Sequence, residues 1–211
     1  MIHCTLTGAK RVLCLGAHSD DIEIGCGATI LELLRREPAA EFYWAVFSAQ
    51  AARGREGRNS ARAFLKGAGS ARTRFWKFRE SYLPQEWSAI KDVFEKLKRE
   101  FAPDLVFTHY REDRHQDHRV LSDLAWNTFR GHLILEYEIP KYDGDLGIPN
   151  VFMPVSEDTC RKKVDLLMRH FRTQGNKHWF TEDLFFALLR MRGIECGARY
   201  AEAFHGRKIL L

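Results

Sequence analysis

Three features of the 211-residue sequence predict an α/β fold with a largely parallel sheet and helices on both faces. Short apolar runs rich in Val, Leu and aromatic residues alternate with stretches of helical periodicity. The runs are spaced as strand, crossover helix and next strand, the arrangement that builds parallel sheets. No repeat, linker or low-complexity segment interrupts this rhythm, so residues 1–211 read as one domain.

Taken in order, Arg11 to Ala17 is the first strand, followed by a turn and a helix from Gly27 to Glu37 whose stripe is Ile30, Leu31, Leu33 and Leu34. Glu41 to Ser48 (EFYWAVFS) is the second strand, and Asn59 to Lys66 is a short helix ending at Gly67. Thr73 to Phe78 is the third strand. After Pro84, the residues Trp87, Ile90, Phe94, Leu97 and Phe101 recur at helical spacing until Pro103 stops them. Asp104 to Thr108 (DLVFT) reads as a buried strand, and Leu121, Leu124, Ala125 and Thr128 stripe the next helix. His132 to Glu138 and Val151 to Val155 are further strands. The last quarter reads as two helices, capped by Ser156 and Thr181 with acidic first turns, the second ending at Gly193.

Composition removes several function classes. With 45% hydrophobic and 29% charged residues the chain suits a packed core and not a disordered one. Apolar runs such as Val12 to Leu15 and Leu184 to Leu189 fall far short of the roughly 20 residues of a membrane span. The first residues lack the apolar core of a secretory signal, so a cytoplasmic location is expected. Five scattered cysteines, with no C-x-x-C pair, predict reduced thiols and neither a disulfide framework nor a Cys4 zinc site. A net charge of +5, from 33 basic and 28 acidic residues, is a mixed surface that argues weakly for nucleic acid.

In a parallel sheet, ligands bind beyond the carboxyl ends of the strands. Two such places are chemically loaded: His18-Ser19-Asp20-Asp21 after the first strand, and His109 to Arg119 after the strand Asp104 to Thr108. A hydrolytic zinc site needs three His or carboxylate ligands, an open position for water, and a nearby carboxylate to take its proton. His18, Asp21 and His118 can supply the ligands, and Asp20 is left as that carboxylate. His115 opens the next helix, where Asp117 can hydrogen-bond an imidazole and keep it able to donate to an oxyanion or a leaving amine. Each motif alone has a plainer reading: a loop histidine, a helix N-terminal charge pair, a solvated His-x-x-His face. Their joint occurrence, each directly after a strand, decides for a metal site. Glu112 and Asp113 read first as loop solvation, with a contact that supports a metal ligand as the lesser alternative, and His109 and His170 read as structural. Arg53, Arg55, Arg58 and Arg62 follow the second strand; solvated charge is the default reading for any one of them, and the alternative is that at least one makes bidentate contact with an anionic part of a substrate. Phe42, Tyr43, Trp44, Phe75 and Trp76 read as strand core, and His178 and Trp179 as a rim for sugar stacking.

The two segments, His18-Ser19-Asp20-Asp21 and His115-Gln116-Asp117-His118-Arg119, resemble the paired motifs of the PIG-L (LmbE-like) family of zinc-dependent N-acetylglucosaminyl deacetylases. That resemblance extends through Arg58 to Gly67, Arg192-Gly193 and Tyr200-Ala201-Glu202-Ala203-Phe204, and so covers most of the chain. It implies a Rossmann-like three-layer fold and the removal of acetyl groups from N-acetylated sugars, free or linked to a nucleotide or lipid. By matching position it implies His18, Asp21 and His118 as zinc ligands, with Fe, Co or Mn as other divalent choices. It further implies Asp20 as general base, His115 as the transition-state histidine tuned by Asp117, and Arg58 as a substrate contact. Ser19 stands where the family has Pro, and Ala61 where many relatives have Glu. The reading from another class is a polyanion or nucleic-acid binding module with a structural metal. It is disfavoured because structural zinc normally takes four protein ligands, commonly with Cys.

Overall fold

The computed structural model describes residue 6 and residues 8–209; Cys4 lies outside the described residues. Seven strands form one sheet: β1 (Arg11–His18), β2 (Glu41–Ser48), β3 (Ser70–Phe75), β4 (Leu105–His109), β5 (Leu133–Tyr137), β6 (Val151–Val155) and β7 (Tyr200–Gly206). Their order across the sheet is β3-β2-β1-β4-β5-β7-β6. β3, β2, β1, β4 and β5 pair in parallel, while β7 runs antiparallel to both β5 and β6. The sheet is thus largely parallel, as the alternating pattern implies.

Six helices cover it: α1 (Asp21–Arg36), α2 (Ala51–Phe64), α3 (Trp87–Glu100), α4 (Gln116–Thr128), α5 (Glu157–His170) and α6 (Glu182–Cys196). The period-2 alternation of β1 divides them. Val12 and Cys14 face a core built with α1, α2, α5 and α6, while Leu13, Leu15 and Ala17 face a second core built with α3 and α4. Near-continuous apolar strands are what a sheet buried on both faces requires. Among the described residues no helix is long and apolar enough to cross a membrane.

Five elements differ most from the sequence reading: β3, which runs Ser70–Phe75 and not Thr73 to Phe78, and α1, α2, α6 and β7. α1 begins at Asp21 and not at Gly27, and Cys26 (φ −141°, ψ 16°) breaks it into a short first turn and a longer second part. α2 begins at Ala51 and not at Asn59. α6 runs past Gly193 and stops where Gly197 takes a left-handed conformation (φ +75°), the usual helix C-terminus. β7 was not expected as a strand, and it supplies the sheet's antiparallel part.

The break in α1 sits against β5. A Cβ on Gly25 would lie 2.1 Å from Cδ2 of the Tyr137 ring, a buried ring pinned by its hydroxyl to the Leu15 carbonyl at 2.6 Å. Gly25→Ala is therefore expected to destabilise the fold by about 1–3 kcal/mol or more through overpacking. Urea unfolding measures this, and a midpoint equal to that of the wild type would contradict the close packing.

Candidate metal and catalytic site

The sheet order sends β1 toward β2 on one side and β4 toward β5 on the other. The crevice at that reversal, beyond the carboxyl ends of β1 and β4, is where α/β sheets bind ligands. β1 ends at His18 and β4 at His109. The loop after β4 delivers Asp113, His115, Asp117 and His118 to the same place as α4 begins.

Three atoms converge there. Nδ1 of His18 lies 3.2 Å from Nε2 of His118 and 3.4 Å from Oδ2 of Asp21, and the latter two are 3.6 Å apart. Those edges match one face of a tetrahedron around an ion bonded at 2.0–2.1 Å, for which the edge is about 3.3 Å. The distal nitrogen of each imidazole is held by a carboxylate: His18 Nε2 lies 3.1 Å from Asp117 Oδ2, and His118 Nδ1 lies 2.9 Å from Asp113 Oδ2. Donation of the distal N–H to these acids turns a lone pair on each proximal nitrogen toward the third acceptor, Asp21. Such outer carboxylates are the usual support of metal-binding histidines. With their lone pairs inward, three such atoms repel one another unless a proton or a metal cation lies among them, so the residues fit a divalent metal. Two overlapping groups of donors within 4.8 Å of one another, His18-His115-His118 and Asp21-His109-His118, occupy this crevice, and neither includes a cysteine.

The electrostatics favour positive charge. Burial disfavours a charged His18, yet the Asp21 charge and the hydrogen bonds of Asp117 and Asp21 raise it to about 10. Burial alone would push Asp21 up, but His118, His18 and His109 hold it well below the carboxylate range. His118 goes the other way: burial, and then His109, lower it to about 3, which leaves a neutral imidazole with a lone pair. Burial raises Asp20, with the Asp21 charge adding to this and Arg53 opposing it.

Asp117 departs from its expected contact. Its carboxylate does not reach the His115 ring; it faces His18 and accepts the backbone N–H groups of Ser81 (2.6 Å) and Leu83 (3.1 Å). Ser81 has φ +67°, a strained position for serine that this carboxylate stabilises. The physical reason lies in helix geometry. His115 is the N-cap of α4 and its own Nδ1 accepts the Asp117 backbone N–H at 3.2 Å, which turns the Asp117 side chain away from that ring. With Nδ1 accepting, the proton of a neutral His115 sits on Nε2. Burial, followed by the charge of His18, pushes the His115 pKa down.

Several site residues escaped sequence reasoning. Asp113, read as loop solvation, is buried and joins His118, the His115 backbone N–H at 2.7 Å, and the Lys141 ammonium at 3.0 Å. Lys141, from the loop after β5, also reaches Asp145. His109, read as structural, is fully buried with Nε2 3.2 Å from Asp21 Oδ2 and accepting the Ala17 N–H at 3.0 Å. Arg53 donates to Asp20 Oδ1 at 3.0 Å and is anchored on its other side by Glu80. Arg53 thus serves the site's own carboxylates, which no spacing rule could show. Arg58 lies half-buried over the Phe75 ring, its guanidinium carbon 5.3 Å from the ring centre. Ser19 is buried, and a Cβ on Gly57 of α2 would come within 3.0 Å of it. Helix packing therefore confines the loop where a Pro ring would stiffen it.

Fold and site together define an α/β protein with a buried His-Asp-His donor set at the sheet's reversal point. Residues 13–129 match the PIG-L family, GlcNAc-PI de-N-acetylase. The chain is 30% identical over 174 residues to the uncharacterized deacetylase YaiS of Escherichia coli (strain K12), covering 76% of this chain and 90% of the relative. The chain therefore belongs to the PIG-L family, and it is a deacetylase of that family. Its fold resembles N,N'-diacetylchitobiose deacetylase from Pyrococcus horikoshii, with TM-score 0.75 and 24% identity over 95% of this chain and 84% of that one. It also resembles GalB, the 4-carboxy-2-hydroxymuconate hydratase of Pseudomonas putida KT2440, with TM-score 0.72 and 16% identity over 96% of this chain and 98% of that one. The fold thus accommodates more than one chemistry, and the site's residues must carry the functional argument.

The paired carboxylates give a direct expectation. Asp113→Ala and Asp117→Ala should each weaken divalent-metal affinity by about 10–100-fold, read by competition titration against a chelator. Wild-type affinity in both variants would show that the two acids merely pack against the imidazoles.

Proposed function

We propose that this protein is a zinc-dependent hydrolase that removes the acetyl group from an N-acetylated sugar, releasing a free amine and acetate. The observation that carries this reading is the triangle of His18 Nδ1, Asp21 Oδ2 and His118 Nε2 with Asp20 beside it. These three residues would hold the metal, zinc first and Fe, Co or Mn as alternatives. A bound divalent cation supplies Lewis acidity and brings the pKa of a water in its open position to about 7.

The chain's own groups do the rest. Asp20 takes the water proton as general base; Arg53 engages only its Oδ1, and burial lifts its basicity. The oxygen adds to the acetamide carbonyl. His115 donates a hydrogen bond from its Nε2–H to the developing oxyanion and keeps that proton, its ring fixed by the cap bond at Nδ1. Collapse breaks the C–N bond, and the proton that Asp20 took from the water goes to the departing amine, so one water is divided between acetate and amine. Asp117 acts in this scheme through His18, whose ring it orients.

The sugar class is taken from the family and from the chitobiose deacetylase it resembles in fold. Arg58, with no hydrogen-bond partner among the described residues, is the proposed substrate contact. Residues 1–211 act as a single catalytic domain, and the free thiols of Cys14, Cys26, Cys160 and Cys196 support a cytoplasmic location.

Metal analysis paired with acetate release from a panel of free, nucleotide-linked and lipid-linked N-acetyl sugars tests this reading; absence of metal and of acetate from every sugar would overturn it. His18→Ala, Asp21→Ala and His118→Ala should each lose metal and activity together. Asp20→Asn should keep its metal while kcat falls about 100 to 10,000-fold. His115→Ala should also keep metal, with kcat reduced about 100 to 1,000-fold and KM little changed. Full metal occupancy in all three ligand variants would refute the assignment of those residues.

A further inference from the structure

A buried ion pair from the last quarter of the chain sits at the break in α1. Lys163 of α5 and Glu202 of β7 are both almost wholly buried and meet at 2.6 Å. Where Cys26 leaves the helical region, the α1 ladder is interrupted, which orphans carbonyls before the break and N–H groups after it. The pair supplies partners for both. The Lys163 ammonium donates to the Ile24 carbonyl at 2.6 Å. The Glu202 carboxylate accepts the Ala28 N–H at 2.9 Å through one oxygen and the Thr29 N–H at 2.7 Å through the other. Each charge thus replaces main-chain hydrogen bonds of the missing turn.

We infer that Lys163 and Glu202 are positioning residues for the metal centre: they hold the short first turn of α1 at an angle to the rest of the helix. That turn carries Asp21 and follows Asp20. An unbroken helix continued backward from Ala28 would carry both carboxylates on a different axis, away from His118. A buried charge pair is costly in desolvation and often replaceable without loss of stability, so its use here is explained by the geometry it imposes. Both residues lie beyond the segment 13–129 that matches the family, so the C-terminal quarter takes part in shaping the site.

This inference rests on the metal site proposed above, and its test separates the two. In the variant Lys163→Met with Glu202→Gln, both charges are removed together, which avoids stranding either one. Co2+ serves as the probe, read by its visible absorption and by competition with a chelator. The expected result is Co2+ affinity at least about tenfold weaker, a changed absorption band, and a lower kcat with KM within about twofold. Phe94→Leu, in the core on the opposite face of the sheet, is the control for a general loss of stability and should keep the wild-type spectrum and affinity. A second measurement uses the wild type alone, because coupling between two sites is reciprocal. Adding Co2+ should slow hydrogen exchange at the Ala28 and Thr29 amides more than at amides of α3. Wild-type affinity and spectrum in the double variant overturn the inference while leaving the metal site standing, as does exchange at Ala28 and Thr29 that ignores the metal. A wild type that binds no Co2+ overturns both. If the double variant does not fold, the exchange experiment decides.

Discussion

One carboxylate oxygen organises the centre of this molecule. Oδ2 of Asp21 accepts the backbone N–H of His18 at 2.6 Å, which closes the turn between β1 and α1. The same atom faces nitrogens of three imidazoles, from His18, His109 and His118. Two strand ends, one helix start and the first residues of α4 therefore meet at a single anionic point. Neighbouring groups must satisfy it: β4 has to end beside β1, α4 has to begin with its imidazoles turned inward, and α1 has to start earlier than its apolar stripe suggests.

The surroundings of that point follow from charge balance. Asp20, Asp21, Asp113 and Asp117 are all buried, and no fold tolerates four such acids without compensation. Each has its partners, with His18 and His118 shared between acids: Arg53 for Asp20, the imidazoles for Asp21, His118 and Lys141 for Asp113, His18 and two backbone N–H groups for Asp117. Arg53 and Lys141 come from α2 and from the loop after β5 and close the shell on opposite sides. The rings of His18, His115 and His118 each have their orientation fixed by a hydrogen bond made away from the crevice. This is preorganisation: the rings do not need to turn when chemistry begins.

Much of this was legible in the sequence. The strands were, because DLVFT and EFYWAVFS are apolar runs of a kind only a doubly covered sheet accommodates. The convergence of His18, Asp21 and His118 was, because each directly follows a strand or opens a helix. The starts of α1 and α2 were hidden by their composition. Gly25, Gly27, Gly54 and Gly57 depress helix propensity there, and tight packing against Tyr137, Phe64 and the Ser19 loop is what keeps them helical. Gly193 misled in the same way. It stays inside α6 because a Cβ would come 2.6 Å from the Arg199 carbonyl oxygen of the returning chain. β7 was missed because YAEAFHG buries Glu202 and His205, so its polar pattern looks unlike a central strand. The partners Asp113, Lys141 and Arg53 were out of reach because pairing across the fold leaves no local periodicity.

The place of β7 has a consequence for assembly. β7, the strand furthest along the described residues, is not an edge; it is a wedge between β5 and β6, and among the described residues β6 has no other strand beside it. While the chain is being synthesised, every donor to the crevice emerges by His118, yet α1 still lacks the acid that divides it. β5 meanwhile presents an open edge, and β6 waits without a partner. The crevice can therefore be chemically complete in sequence and still misshapen in space. In the folded chain one strand thus does two things: β7 joins β6 to the rest of the sheet, and its Glu202 accepts the N–H groups at the break of the first helix.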